Sequence, residues 1–203
     1  HVLKLNPLIN LNCFKPIKKT FQVIQQKRFE KNVICNNFGL GSENTFKKLY
    51  LYGDLSEGSS FYLRKGLEKI VGTELNAKTE DAEIRTLDNY CKENNIREID
   101  FLKIDVEGHE LDVIKGGKEY FEQERIKIAQ FEYGGSYIDS RILLKDFFDF
   151  FDGMNYSIFL LYPTRVCLIS HYDQRLENFQ YKNFLVINKK VVNSNKYFNK
   201  MMR

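Results

Sequence analysis

Glu98-Ile-Asp-Phe-Leu-Lys-Ile-Asp-Val-Glu-Gly-His-Glu-Leu-Asp-Val-Ile-Lys-Gly-Gly117 is the stretch on which the fold turns. Its apolar run, Ile99 to Ile104, stops abruptly at Asp105, Glu107, Gly108, His109 and Glu110. A helical pattern follows, with Leu111 and Ile114 one turn apart, and Gly116-Gly117 interrupts it. Strand, acidic turn and helix in that order are how a parallel α/β sheet presents a site, because ligands sit beyond the carboxyl ends of its strands. Titratable side chains packed this densely are costly unless something uses them.

The rest of the chain sets the bounds. Its 203 residues suit one domain, expected over 1–192, with a polar, basic tail at 193–203. A content of 43% apolar and 29% charged residues is that of a folded globular protein. No stretch approaches the roughly 20 apolar residues of a membrane span, and no signal-peptide pattern opens the chain. The net charge of +4 is spread over scattered lysines, which argues against a nucleic-acid partner. Cys13, Cys35, Cys91 and Cys167 are widely separated, with neither zinc spacing nor a disulfide framework. Free thiols in a reducing, cytoplasmic compartment are the expectation.

Outward from the central stretch, periodicity predicts an alternation of elements. Strands are expected at Ile9–Phe14, Val33–Phe38, Ile99–Ile104, Ile126–Tyr133, Tyr156–Tyr162 and Phe184–Asn188, with a short one at Val166–Ile169. Phe46–Tyr52 and Ser60–Leu63 read as a hairpin or a pair of edge strands, and 66–82 as a surface loop. Helices are expected from Pro16 to about Lys27, from Leu87 to about Asn94 behind a Thr86 cap, and over 109–122. A fourth, capped by Ser140, carries Leu144, Phe147, Phe148 and Phe151 on one face and stops at Gly153. This alternation predicts a doubly wound, mostly parallel sheet with an antiparallel edge.

Several of these strands end in polar groups. Lys15 follows the first, Asn36 and Asn37 the second, Asp105 to His109 the Ile99 strand, and Glu132 the Ile126 strand. In a parallel sheet such ends share one edge and converge on a cleft. Asp105, Glu107 and His109 have three uses open to them. They could remove a proton from a substrate hydroxyl or bind a divalent metal, or Glu107 and Glu110 could simply favour the N-terminus of the following helix. Lys103, an ammonium inside an apolar strand, is expected to pair with an acid.

Leu102-Lys-Ile-Asp-Val-Glu-Gly-His-Glu110, with Arg85-Thr-Leu-Asp88 before it and Ile114-Lys-Gly-Gly117 after it, resembles the FkbM-type methyltransferase family. Asn37-Phe-Gly-Leu-Gly41, Ser59-Ser60 and Gln130-Phe-Glu-Tyr133 extend the resemblance from about Leu11 to Asn188. It implies a class I, Rossmann-like sheet and an S-adenosylmethionine-dependent O-methyltransferase acting on a small-molecule or glycan hydroxyl. By position, Asp105 lies beside cofactor and acceptor, and Glu107 or His109 serves as base. Lys15, Asn36 and Asn37 fall on the cofactor side, with Asn37 near the adenine; Glu132 and Tyr133 fall on the acceptor side. No metal is implied.

Two departures from the family pattern stand out. Its glycine-rich loop, of the Asp-x-Gly-Ala-Asn-x-Gly type, has no counterpart here, and Gly39-Leu-Gly41 is a lone pair at the wrong place. Counting back from Lys15 by the roughly 20 residues that separate loop and ribose ligand passes His1. The expectation is a chain lacking the central first strand, poorly stable and weak in cofactor binding. The second departure is Lys15 itself, which aligns with the family's acidic residue; an ammonium cannot accept ribose hydroxyls. A non-catalytic relative, acting as a binding or partner subunit, is therefore the competing expectation. A metal-dependent hydrolase built on Asp105, Glu107 and His109 is a third.

Overall fold

The structure is a computed structural model that describes residues 6, 8–27, 32–52, 58–64, 78–194 and 198. Among these, strands and helices alternate through most of the chain. The strands are β1 (Leu11–Phe14), β2 (Val33–Asn36), β3 (Gly39–Leu40), β4 (Thr45–Leu51), β5 (Lys78–Arg85), β6 (Ile99–Ile104), β7 (Ile126–Tyr133), β8 (Tyr156–Leu161), β9 (Val166–Ile169) and β10 (Lys182–Asn188). The helices are α1 (Lys18–Gln25), α2 (Leu87–Glu93), α3 (Glu110–Lys115), α4 (Lys118–Glu122), α5 (Ser136–Ser140), α6 (Leu144–Phe151) and α7 (Lys189–Ser194).

The pairing is more mixed than the alternation predicts. One sheet runs β6-β7-β10-β8-β9, a second β3-β5-β4, and β1 pairs with β2. Parallel ladders are confined to β1–β2, β3–β5 and β6–β7; β4–β5, β7–β10, β10–β8 and β8–β9 are antiparallel. The expected mostly parallel sheet is thus corrected to a mixed α/β arrangement. The reason is local: the links from β8 to β9 and from β9 to β10 carry no α-helix to serve as a parallel crossover.

Four further expectations change. Ser60 makes an isolated bridge to Tyr50 rather than a strand, and β4 pairs instead with β5. Residues 78–82, read as loop, are the first part of β5; 66–77 lie outside the described residues. The expected helix at 109–122 is two helices, parted at Gly116-Gly117. Ser140 ends α5 rather than capping α6, whose N-terminus is closed by Asp146 accepting from Leu143 N at 2.8 Å. The Thr86 cap is present, its hydroxyl accepting from Asn89 N at 3.3 Å.

The core lies between α6 and the five-stranded sheet. Phe131 stacks on Phe147 with centroids 4.2 Å apart and on Phe184 at 5.4 Å. Phe121 meets Phe151 and Tyr156 edge-on. At the other end, β1 and β2 reach this body through side chains. Tyr90 of α2 donates its hydroxyl to Asn12 at 2.8 Å and accepts from Asn36 at 3.1 Å, and Phe14 lies edge-on to its ring. Among the described residues β1 is laddered to β2 alone and β6 to β7 alone, so each has a free edge. The odd-numbered face of β6 is also open, with Phe101 52% exposed.

Candidate active site at the end of β6

Backbone conformation makes the acidic turn. Glu107 and Gly108 are successive residues in the left-handed region, at φ +55° and +98°. Gly108 is required there, because a Cβ would also stand 3.0 Å from the Ser136 carbonyl. Glu107 has no such freedom, and its cost of about 1–2 kcal/mol is offset by what holds the turn. Glu110 is buried and accepts from Val106 N at 3.0 Å and Gly108 N at 2.9 Å. Ser60, also buried, donates to the Glu107 carbonyl at 2.7 Å. Burial pushes the Glu110 carboxyl up to about 7, against the restraining pull of the Tyr137 side chain and then of the backbone amides.

The other matching segments form the support beneath this turn. A Cβ on Gly116 would fall 2.0 Å from the Gly41 carbonyl oxygen, so α3 and the end of β3 touch backbone to backbone. Gly116 in turn accepts from Asp88 N at 2.9 Å. The Asp88 carboxylate caps α4 through Glu119 N and Tyr120 N, at 3.0 and 3.1 Å. Arg85 lies over the Phe38 ring at 4.4 Å. Gly39 and Gly41 are packing glycines against Ile84. None of these residues faces the turn's outer surface; they fix where it stands.

Facing outward are three carboxylates and two cations. Asp105 pairs with Lys103 at 2.5 Å, both half exposed, which answers the expectation that Lys103 finds an acid. Glu107 pairs with Arg64 at 3.3 Å. Burial raises the Glu107 carboxyl, Arg64 opposes the rise, and Asp105 adds to it. Burial, then Asp105 and Glu107, likewise raise Glu132 at the end of β7, with Lys103 opposing. Arg64 also donates to the Tyr181 hydroxyl at 3.1 Å, and the Tyr181 ring covers Gly134, where a Cβ would meet it at 2.4 Å. Asp105, Glu107 and Glu132 are thus brought together, with Arg64 and Tyr181 as members that sequence reading missed. Neither carries a motif signal: Arg64 follows a run read as strand, and Tyr181 precedes one.

Other expected members stand elsewhere. His109 is 1% exposed and turned inward, its Nδ1 3.0 Å from the Tyr62 hydroxyl and 3.2 Å from Asp112 Oδ2. Burial lowers it to about 4, so the ring is neutral, with Asp112 pulling the other way. Its Nε2 has no partner and lies against Gly41. The tautomer that fits carries the proton on Nδ1 and leaves Nε2 as a bare lone pair. Asp105, Glu107 and His109 therefore do not converge on one point. Tyr133 is also buried, its hydroxyl donated to Glu177, which accepts from Leu144 N and Lys145 N at the start of α6. It is a brace rather than a wall of the cleft. Lys15, Asn36 and Asn37 form a second group: Asn37 donates to the Lys15 carbonyl at 2.9 Å and Asn36 to that of Cys13 at 3.2 Å.

These features define an α/β protein whose acidic site sits on a strand–turn–helix junction, braced from within by a buried glutamate. The sequence profile of the methyltransferase FkbM domain matches residues 1–158, more than half of the chain, and the chain belongs to that family. No curated protein and no solved structure gives a significant match.

Proposed function

We propose that the chain is part of an S-adenosylmethionine-dependent O-methyltransferase domain that modifies a hydroxyl of a sugar or secondary metabolite. The observation that carries the reading is the gathering of Asp105, Glu107 and Glu132 at the ends of neighbouring parallel strands β6 and β7. The cofactor supplies an activated methyl group. The chain's own residues orient the acceptor and take its proton. Glu107 is the base: burial raises its carboxyl and so strengthens it as a proton acceptor, and Arg64 opposes the rise. Asp105 lies between cofactor and acceptor, attracting the sulfonium charge and orienting the hydroxyl, and Glu132, Arg64 and Tyr181 border the acceptor.

The fit to the cofactor is uneven. Three carboxylates suit a sulfonium cation, and the Ser59 hydroxyl, buried without a partner among the described residues, stands one residue before the serine that holds Glu107. Lys15 does not suit a ribose diol, since it only donates. The edges of β1 and β6 that are free among the described residues support a reading in which a class I sheet would carry its central strand and glycine-rich loop between them. In this reading the chain supplies the strands on either side of that place and is incomplete without it.

Methyl transfer to a panel of hydroxyl acceptors tests the proposal. Asp105→Asn is expected to lower turnover by about 100-fold or more, with the melting temperature nearly unchanged because Asp105 is exposed. Unchanged turnover removes Asp105 from the site. Lys15 supports a second reading, a non-catalytic binding or partner subunit. Lys15→Glu separates the two: the enzyme reading expects tighter cofactor binding, and the second reading expects none in either form.

A further inference from the structure

The β1–β2 ladder sets Cys13 directly opposite Cys35. Far apart in sequence, the two thiols are neighbours in space. Adjacent strands lie about 4.8 Å apart, inside the roughly 4.4–6.8 Å range of Cα separations that a disulfide spans. Asn12, Phe14 and Asn36 all turn toward Tyr90. By strand alternation Cys13 and Cys35 therefore share the opposite face. Each is partly exposed, whereas Cys91 is buried and Cys167 stands alone on β9. The thiols also interact directly: burial and the neighbouring Cys35 both hold the Cys13 thiol above its ordinary range.

We infer that Cys13 and Cys35 are a redox modification site, closing to a reversible disulfide in the presence of a low-molecular-weight disulfide of the glutathione class. One thiolate attacks the small disulfide, forms a mixed disulfide and releases one small thiol. The second thiolate displaces the other small thiol and forms the Cys13–Cys35 bond. Two protein thiols are oxidised, one small disulfide is reduced to two thiols, and the two protons go to the products. A cross-strand bridge in a parallel ladder is tight, and tight or exposed bridges are the reducible kind. Its position matters, because Lys15 N donates to the Asn36 carbonyl at 2.9 Å two residues beyond Cys13. The bridge ties together the two strand ends that carry Lys15, Asn36 and Asn37.

Equilibration of the native protein with glutathione and glutathione disulfide at graded ratios, acid quench and peptide mapping tests this directly. The expected result is a linked Cys13–Cys35 peptide, lighter by two hydrogens, that rises with oxidant and disappears on adding dithiothreitol. Cys13→Ser is expected to leave Cys35 as a glutathione adduct instead. Separate adducts on Cys13 and Cys35 in the wild type, or two alkylatable thiols there at every ratio, would overturn the inference. The wild-type map decides even if the variant fails to fold, and it does not depend on methyl transfer.

Discussion

His109 and Glu110 are adjacent, both buried, and shifted in opposite directions. Glu110 is raised from 4.5 to about 7, so between those values the folded protein keeps a proton that the unfolded chain has released. Its contribution to stability falls as pH rises through that window. His109 is lowered from 6.5 to about 4, so there the unfolded chain holds the extra proton and stability rises with pH. Each effect is about 3 kcal/mol at 1.36 kcal/mol per pKa unit, and they nearly cancel between about pH 4.5 and 6.5. His109→Asn is expected to unmask the falling limb and Glu110→Gln the rising one. Urea midpoints of all three proteins at about pH 5 and 6.5 check it. Curves parallel to the wild type would show that neither group titrates as described.

The same residues show what could be read from the sequence and what could not. The place of Asp105 was legible, because an apolar run that stops at an acid marks the end of a strand. Which of Glu107, His109 and Glu110 faces outward was not. Two successive left-handed residues reverse the chain's course, so neither strand nor helix periodicity carries through the turn. Arg64 and Tyr181 were illegible for a different reason: they meet across 117 positions of chain, and nothing in their own neighbours marks them.

At the scale of elements, β6 and β7 match their expected bounds, since both are apolar runs closed by polar residues. β5 was missed because only Ala82 and Ile84 of Lys78–Arg85 are buried, and charged neighbours hide that alternation. The break between α3 and α4 was visible as Gly116-Gly117, but its cause was not. Gly116 is a contact glycine: a methyl group there would overlap the Gly41 carbonyl. Gly153 is a conformational glycine, at φ +74° with nothing within 4 Å of a would-be Cβ. Gly153→Ala is therefore expected to cost about 1 kcal/mol and Gly116→Ala at least about 3 kcal/mol, by chemical denaturation. Equal costs would mean that α3 can move off β3 freely.

At the scale of the whole molecule, the helices and strands were more legible than their pairing. Sequence patterns specify which face of a strand is apolar, whereas direction depends on the connections. The two links after β8 are too short of helix to reverse it. Among the described residues β1 and β6 each have a free edge, and Tyr90 joins the parts by side-chain contacts. The acidic turn follows β6, at the edge of the main sheet, and is held by the buried Glu110 and Ser60. The Cys13–Cys35 pair lies on the separate two-stranded ladder of β1 and β2, and Lys15 directly follows β1.

Calorimetric titration of S-adenosylmethionine into the protein expressed from its whole reading frame, as wild type and as Asp105→Asn, tests the central claim most directly. The account predicts saturable binding by the wild type. It predicts binding weaker by about tenfold or more in the variant, the loss expected of one charge-assisted contact, with an unchanged melting curve. Absence of saturable heat in the wild type, or equal affinity in both proteins, would contradict the assignment of the Asp105 turn to methyl transfer.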